Sequence, residues 1–299
     1  MKNSSKHLIS FLIVNYKTEE MVCELIKSIK NYIKKYKYEI LIFDNSYSKN
    51  SIINSVQDSN VQVFNVEKNI GFVKANNILF QNSKGDIVVL LNSDTLLIND
   101  SLEKIFDFLV MNGNLGIVGP KLLNADLTYQ ESFYRFPTLI TTICELIFLS
   151  KKAYDYKFDI NEIQDVDVIK GACIIFKREI LKDESPFDES FEMYSEEVDL
   201  CFRVKKKGYK NIYYPFSQVI HFGGVSSNYD DKTIFYTNYN YYKSKRLFFK
   251  KHKSKYQFFL YDLIIFCSLI ERVFIFFIIF RFSKSAFFLK ILMKIYFHE

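Results

Sequence analysis

"GDIVVLLNSDT" (Gly85–Thr95) holds five apolar residues in a row, Ile87 to Leu91, and then turns abruptly polar at Asn92, Ser93 and Asp94. A run this short, β-branched and bounded by polar residues reads as a strand buried on both faces, since a helix needs about ten residues or more. The same shape precedes it twice, in "LISFLIVNY" (8–16) and "YEILIFDNS" (38–46), and "VQVFNVEKN" (61–69) is predicted as a strand between them and it. Helical spacing fills the gaps. Met21, Leu25, Ile29 and Ile33 line one face of a helix predicted over 19–36, "SIINSVQDS" is predicted helical, and "GFVKANNILFQNS" enters a helix through Gly71. "SLEKIFDFLVMN" follows the fourth strand as another helix. Strand and helix alternate four times at short spacing, which places the chain in the α/β class with a mostly parallel sheet covered by helices.

The polar residues gather where ligands bind in such sheets, at the carboxyl ends of strands: Asn15, Asp44 with Asn45, and Asn92 with Asp94. The turn after the first strand, "VNYKTEE", has no glycine, which argues against a dinucleotide-binding dehydrogenase, and no phosphate-binding P-loop is present. With 49% hydrophobic and 25% charged residues, the 299-residue chain can bury a sizeable core. Its five cysteines form no CxxC pair, against a zinc site or disulfide framework and for a reducing compartment. The N-terminus lacks signal-peptide shape.

After residue 116 the pattern changes. "GIVGPKLLNAD" reads as short strands, "YQESFYRFPTLITTICELIFL" as a loop and a helix, and "VDVIKGACIIFKREIL" as two strands around Gly171 and Ala172. "MYSEEVDLCFR" (Met193–Arg203) begins a helix with Glu196, Glu197 and Asp199 in its first turn. Ser195 suits an N-cap and acids suit a helix start, so this is either a solvated helix beginning or a carboxylate held for chemistry. "SQVIHF" is a strand that delivers His221 to a Gly-Gly loop.

The ordered segments "IVNYK", "IFDNS", "KNIGFVKANN", "VVLLNSDT", "GPKLLN", "IKGACIIFKRE", "FDESFEMYSEEVDLCFRVKKKGY" and "VIHFGGVSS" resemble the inverting glycosyltransferases of family 2. The likeness spans about residues 8–228 and is nearest to bacterial rhamnosyltransferase-type members that build O-antigen and capsule chains. It implies a GT-A fold and a sugar-nucleotide donor. The family's acidic motif is here "NSD", with Asn92 where other members carry an aspartate, leaving Asp94 as the strong anionic ligand of Mg²⁺ or Mn²⁺. His221 is the implied further ligand, against a reading as a packed or phosphate-contacting histidine. Asp44 would accept from the ring N–H of uracil or thymine, with Asn15 and Tyr16 flanking the base or ribose. Gly71 permits a tight turn. Lys74 and Asn77 lean toward the nucleotide or serve as ordinary packing residues, and Gly171 leaves room for sugar or acceptor.

The resemblance makes Glu197 the general base, Glu196 a neighbour that positions substrate, and Asp199 a structural acid. The expected product is a glycosidic bond between a hexose, with L-rhamnose the candidate, and a lipid-linked saccharide. Two rivals stand beside it. A sugar-1-phosphate nucleotidyltransferase expects a glycine-rich basic loop after the first strand, and a scaffold without activity has no need of Asp94, Glu197 and His221.

The tail is a separate problem. We expect a transferase domain over 1–228 and a basic, apolar, helical region over 229–299. "FFLYDLIIFCSLIERVFIFFIIFRFSKSAFFLKILMKIYF" (258–297) is very apolar, but Asp262, Glu271, Arg272 and Arg281 break it, so no clean membrane span is predicted. With a net charge of +6 and a basic cluster at 243–255, its expected partner is an anionic membrane surface rather than nucleic acid, with a homodimer interface as the alternative. That places the protein peripherally, on the cytoplasmic face of the inner membrane.

Overall fold

Strand β1 (Leu8–Asn15) is buried from Ile9 to its end, as an unbroken apolar run requires when both faces are covered. The computed structural model describes residues 7–46, 52–56, 58–146, 159–223 and 231–297. In chain order the next elements are α1 (Glu19–Tyr32), β2 (Lys37–Asp44), a 3₁₀ turn at Ile52–Val56, β3 (Val61–Asn65), α2 (Phe72–Asn82), β4 (Ile87–Asn92), β5 (Thr95–Leu97) and α3 (Leu102–Met111). They are followed by β6 (Leu115–Leu123), β7 (Tyr129–Gln130), β8 (Phe133–Tyr134), α4 (Leu139–Leu146), β9 (Gln164–Asp165), β10 (Val168–Ile169) and β11 (Cys173–Lys177). The last are α5 (Glu196–Lys206), β12 (Lys210–His221), α6 (Asp231–His252), α7 (Lys255–Ile278) and α8 (Phe282–Tyr296). The chain forms two compact units, one of 1–136, 157–190 and 196–226, the other of 137–156, 191–195 and 227–299. The boundary expected after 228 lies outside the described residues, and segments 137–156 and 191–195 belong with the tail.

In the first unit the sheet runs β3-β2-β1-β4-β11-β6-β12-β5. β3, β2, β1 and β4 are mutually parallel, while β11 enters antiparallel between β4 and β6. The chain leaves β1 in one direction through β2 and β3, then returns to β4 on the other side. That reversal opens a crevice at the carboxyl ends of β1 and β4. One face of the sheet, with Phe11, Ile13, Ile42 and Val89, packs on Val22, Leu25 and Ile29 of α1 and Ile105, Phe106 and Leu109 of α3. Gly85 sets how closely the chain enters β4. A Cβ there would lie 2.4 Å from Ser10 Oγ, which instead accepts a bond from Gly85 N–H at 2.7 Å.

The structure redraws several predicted boundaries. The helix expected over 19–36 ends at Tyr32; Ile33 turns extended at ψ 105°, freeing the chain for β2. The short strands expected after 116 are one nine-residue strand, β6, despite Pro120. Pro120 sits opposite Tyr214, and the next β6 residue, Lys121, is opposite Gln218, so β12 advances four residues where β6 advances one. Both strands carry a proline at this irregularity, where a missing N–H does no harm. The excess is odd, so it inverts which face each later residue of β12 presents, His221 included. The Gly-Gly loop after His221 reaches Gly224, outside the described residues.

In the second unit, α7 opens with a reciprocal capping box between Ser254 and Gln257. Phe249 stacks on Tyr261 with centroids 4.0 Å apart, and Phe276 on Phe288 at 5.6 Å. Asp262 does not interrupt the apolar run at random: Arg246 of α6 grips it at 2.5 Å, and Tyr296 donates to its Oδ1 at 3.2 Å.

Candidate active site

The parallel register sets Asn15 beside Asp44 and Val14 beside Asn92, so the polar strand ends form one continuous edge. Asn15 is fully buried and its amide is consumed internally. Its Nδ2 donates to Asp44 Oδ1 and Ser46 Oγ, both at 2.9 Å, and its Oδ1 accepts from Thr18 N at 3.1 Å and Oγ1 at 2.8 Å. The expectation that Asn15 flanks a base is corrected accordingly: its place is behind Asp44, which it holds. The other oxygen of Asp44, Oδ2, is buried without a partner. A buried carboxylate oxygen left bare is costly unless a ligand donor meets it.

Tyr16 is partly exposed at 38%, with Lys17 Nζ 5.3 Å from its ring centroid. Gly71 has φ 88°, open to glycine at no steric cost, and its carbonyl accepts from Asn45 Nδ2 at 3.3 Å. Lys74 is exposed on α2. Asn77 is 2% exposed and spans the backbone of Phe187, donating to its carbonyl at 2.9 Å and accepting from its N–H at 3.1 Å. Of the two readings of Asn77, packing is the one its geometry supports.

Asp94 and His221 come from distant segments and meet at 3.4 Å, Oδ1 to Nε2, both nearly buried. β12 pairs antiparallel with β5, and Phe222 N–H donates to the Asp94 carbonyl at 2.9 Å, which locks the two together. Sequence reading missed the residue that orients the imidazole. Gln130 Oε1 lies 2.6 Å from His221 Nδ1, while Gln130 Nε2 donates to Asn124 Oδ1 and the His221 carbonyl. An amide oxygen only accepts, so Nδ1 carries a proton and Nε2 is the nitrogen that faces Asp94. An imidazole nitrogen and a carboxylate oxygen at this distance are held together by a proton or a cation between them. One carboxylate oxygen and one imidazole nitrogen fit a divalent cation, which Asp94 and His221 would hold. Among the described residues no third His, Cys, Asp or Glu joins them.

Asn92 N–H donates to the Ala172 carbonyl at 3.0 Å, fastening the Gly171-Ala172 turn to the end of β4. A Cβ on Gly171 would touch the Glu197 side chain at 3.9 Å. The Asn92 end of β4 and Glu197 thus border the same small-residue turn. Glu197 accepts from Tyr134 Oη at 2.6 Å, and its Oε2, like that of Glu196, is buried without a partner. Burial, first of all, holds both carboxyls above the usual carboxylate range; the Tyr134 hydrogen bond and the Lys170 charge oppose this at Glu197, while the Glu197 charge adds to it at Glu196. Burial also raises the Tyr134 phenol well above its ordinary value. Asp199 is tied to Arg203 at 2.7 Å, a structural pair as expected. Ser195 departs from an ordinary N-cap. It and Tyr194 lie in the left-handed region at φ 64° and 67°, where side chains cost about 1–2 kcal/mol each. Backbone strain therefore sits just before the paired acids, as at many functional sites.

Residues 10–184 match the family model for glycosyl transferase family 2. A low-salt glycan biosynthesis hexosyltransferase of Haloferax volcanii is 25% identical over 239 residues, 78% of this chain and 72% of the relative. An N-acetylglucosaminyl-diphospho-decaprenol L-rhamnosyltransferase of Mycobacterium tuberculosis is 24% identical over 152 residues, 48% of this chain and 50% of the relative. Among solved structures, a mannosyltransferase from Pyrobaculum calidifontis in complex with GDP-Man and Mn²⁺ covers 97% of this chain and 87% of its own, with a TM-score of 0.56 and 12% identity. GalNAc-T7 with UDP, GalNAc and Mn²⁺ has a TM-score of 0.57 and 17% identity over 74% of this chain, which spans 44% of that structure. The sheet, its reversal and these likenesses are those of the GT-A fold. With the family match running from β1 through β11, where every strand end of the crevice but that of β12 lies, the chain belongs to glycosyl transferase family 2.

Proposed function

We propose that the protein is an inverting hexosyltransferase that uses a UDP- or dTDP-sugar and a divalent cation. The observation that carries this is the Asp94–His221 pair, whose geometry calls for positive charge beside the crevice. When bound, the cation would take up the charge that builds on the leaving diphosphate. Asp94 and His221 would hold it. The bare Oδ2 of Asp44 would accept from the ring N–H of uracil or thymine. Glu197 would take the proton of the acceptor hydroxyl as that oxygen attacks the anomeric carbon, while the nucleotide diphosphate departs with the bonding pair. Its burial suits the task, since a raised carboxyl is a better base near neutrality. Glu196 and Gly171 would shape the acceptor side.

The names of the relatives support L-rhamnose as the sugar and a polyprenyl-diphosphate saccharide as the acceptor. A lipid-linked acceptor would bring the protein to the cytoplasmic face of the membrane as a peripheral enzyme of surface polysaccharide synthesis. The test is turnover of a panel of UDP-, dTDP- and GDP-sugars with Mn²⁺ or Mg²⁺, with product anomers read by NMR. A metal-stimulated transfer with inverted configuration is expected. Retention of configuration, or turnover of a sugar-1-phosphate with a nucleoside triphosphate, overturns the reading.

A further inference from the structure

Helix α7 buries one face, with Tyr261, Ile265, Ser268 and Leu269. Its opposite face is also apolar. Tyr256, Phe259, Leu263, Phe274 and Ile278 are exposed, with Cys267 between them. At 100° per residue these six positions fall within an arc of roughly 100°, a continuous stripe along a helix about 36 Å long. The stripe ends in an apolar tip at the α7–α8 turn, where Phe277, Ile279, Phe280 and Phe282 are exposed, Phe280 to 81%. Among the described residues no helix is long and apolar enough to cross a membrane.

We propose that this face of α7, with the tip at 277–282, is the surface that enters an anionic lipid bilayer, the helix lying in the plane of the interface. This deepens the reading of the protein as a peripheral enzyme and rests on it. The net charge of this region selects the partner. Within 255–297 the exposed cations are Lys255 at the start of α7, Arg281 at the tip, and Lys284 and Lys290 of α8, which lie over Phe276 and Phe235, against Glu271 as the exposed acid. Anionic headgroups suit this net positive charge, whereas a second copy would bring two positively charged surfaces together. In the basic cluster over 243–255, Lys250, Lys251 and Lys255 are exposed, while three other cations are engaged within the protein. Lys243 is bound to Glu192 at 2.7 Å, Arg246 to Asp262, and Lys245 lies against Tyr241.

The chain has no tryptophan, so a single introduced one reports alone. Phe280→Trp and Phe259→Trp, in the full chain, should blue-shift and be quenched by acyl-brominated phosphatidylglycerol vesicles. Phe216→Trp, exposed on β12, should not respond. Ile278→Asp with Phe280→Asp should lower vesicle partition by about tenfold or more while leaving UDP- or dTDP-sugar turnover with a water-soluble acceptor unchanged. If the protein sediments with vesicles but neither stripe tryptophan is quenched, another surface binds the membrane and the inference fails while the peripheral reading survives. If it stays in the supernatant at low salt and the double aspartate variant dissociates a dimer, a second copy covers this face. Both the inference and the peripheral reading then fall, and the donor assay decides the transferase reading separately.

Discussion

At the scale of single residues, Glu197 has one side-chain hydrogen bond, from Tyr134, and an Oε2 buried without a partner. Glu197→Gln should lower turnover by about 10²–10⁴-fold while calorimetric donor affinity stays the same, because only the proton acceptor is lost. Tyr134→Phe should cost about tenfold in turnover, the worth of one hydrogen bond to a charged group. It should also leave a signature that loss of packing alone would not. The Tyr134 bond favours the carboxylate, so its removal lifts the Glu197 carboxyl further and moves the acid limb of the pH–turnover profile to higher pH. Lys170 and Glu196 still face the group and set how far. The acids were legible in "SEEVD" because their crowding into one helical turn is a local pattern. Tyr134 was not, because it lies in a two-residue strand inside a stretch that reads as loop, and its bond spans 63 residues.

At the scale of elements, β1, β2 and β4 were legible because their buried stretches read as apolar runs, and β3, a half-exposed edge strand, because its valines and phenylalanine are strand formers between polar residues. The later ones were not. β7, β8, β9 and β10 are two residues each, too short to carry any period, and β12 hides a change of phase at Pro215. Yet β7 carries Gln130, which orients His221 across 91 residues of sequence. Gln130→Leu should weaken Mn²⁺ binding about 10–100-fold by calorimetry, as removal of a ligand's hydrogen-bond partner does. In the metal-free protein the nitrogen NMR shifts of His221 should move away from a pure Nδ1–H tautomer. An unchanged tautomer would show that something other than Gln130 orients the ring.

At the scale of the whole molecule, burial of the two glutamates links folding to pH. A carboxyl that sits higher in the folded chain than its ordinary 4.5 binds protons more tightly when folded. Stability is therefore greatest below that value and falls as pH rises through the window up to the raised value. Glu196→Gln removes this penalty, so its melting temperature should exceed that of the unaltered protein at neutral pH and converge with it in acid. A gain that did not depend on pH would assign the effect to packing instead.

The bare oxygen of Asp44 turns the same logic into an assay. In the free protein it is a standing defect, mended only by a molecule that brings a donor to that spot. Asp44→Ala should cost about 1–3 kcal/mol of nucleotide affinity, the range for a buried polar partner. In the unaltered protein a matching nucleotide at a hundred times its Kd should add about 2.7 kcal/mol, hence roughly 5–10 °C of melting temperature in a unit this size. A thermal scan across nucleosides alone, with neither acceptor nor turnover, would then let the molecule name its own donor base.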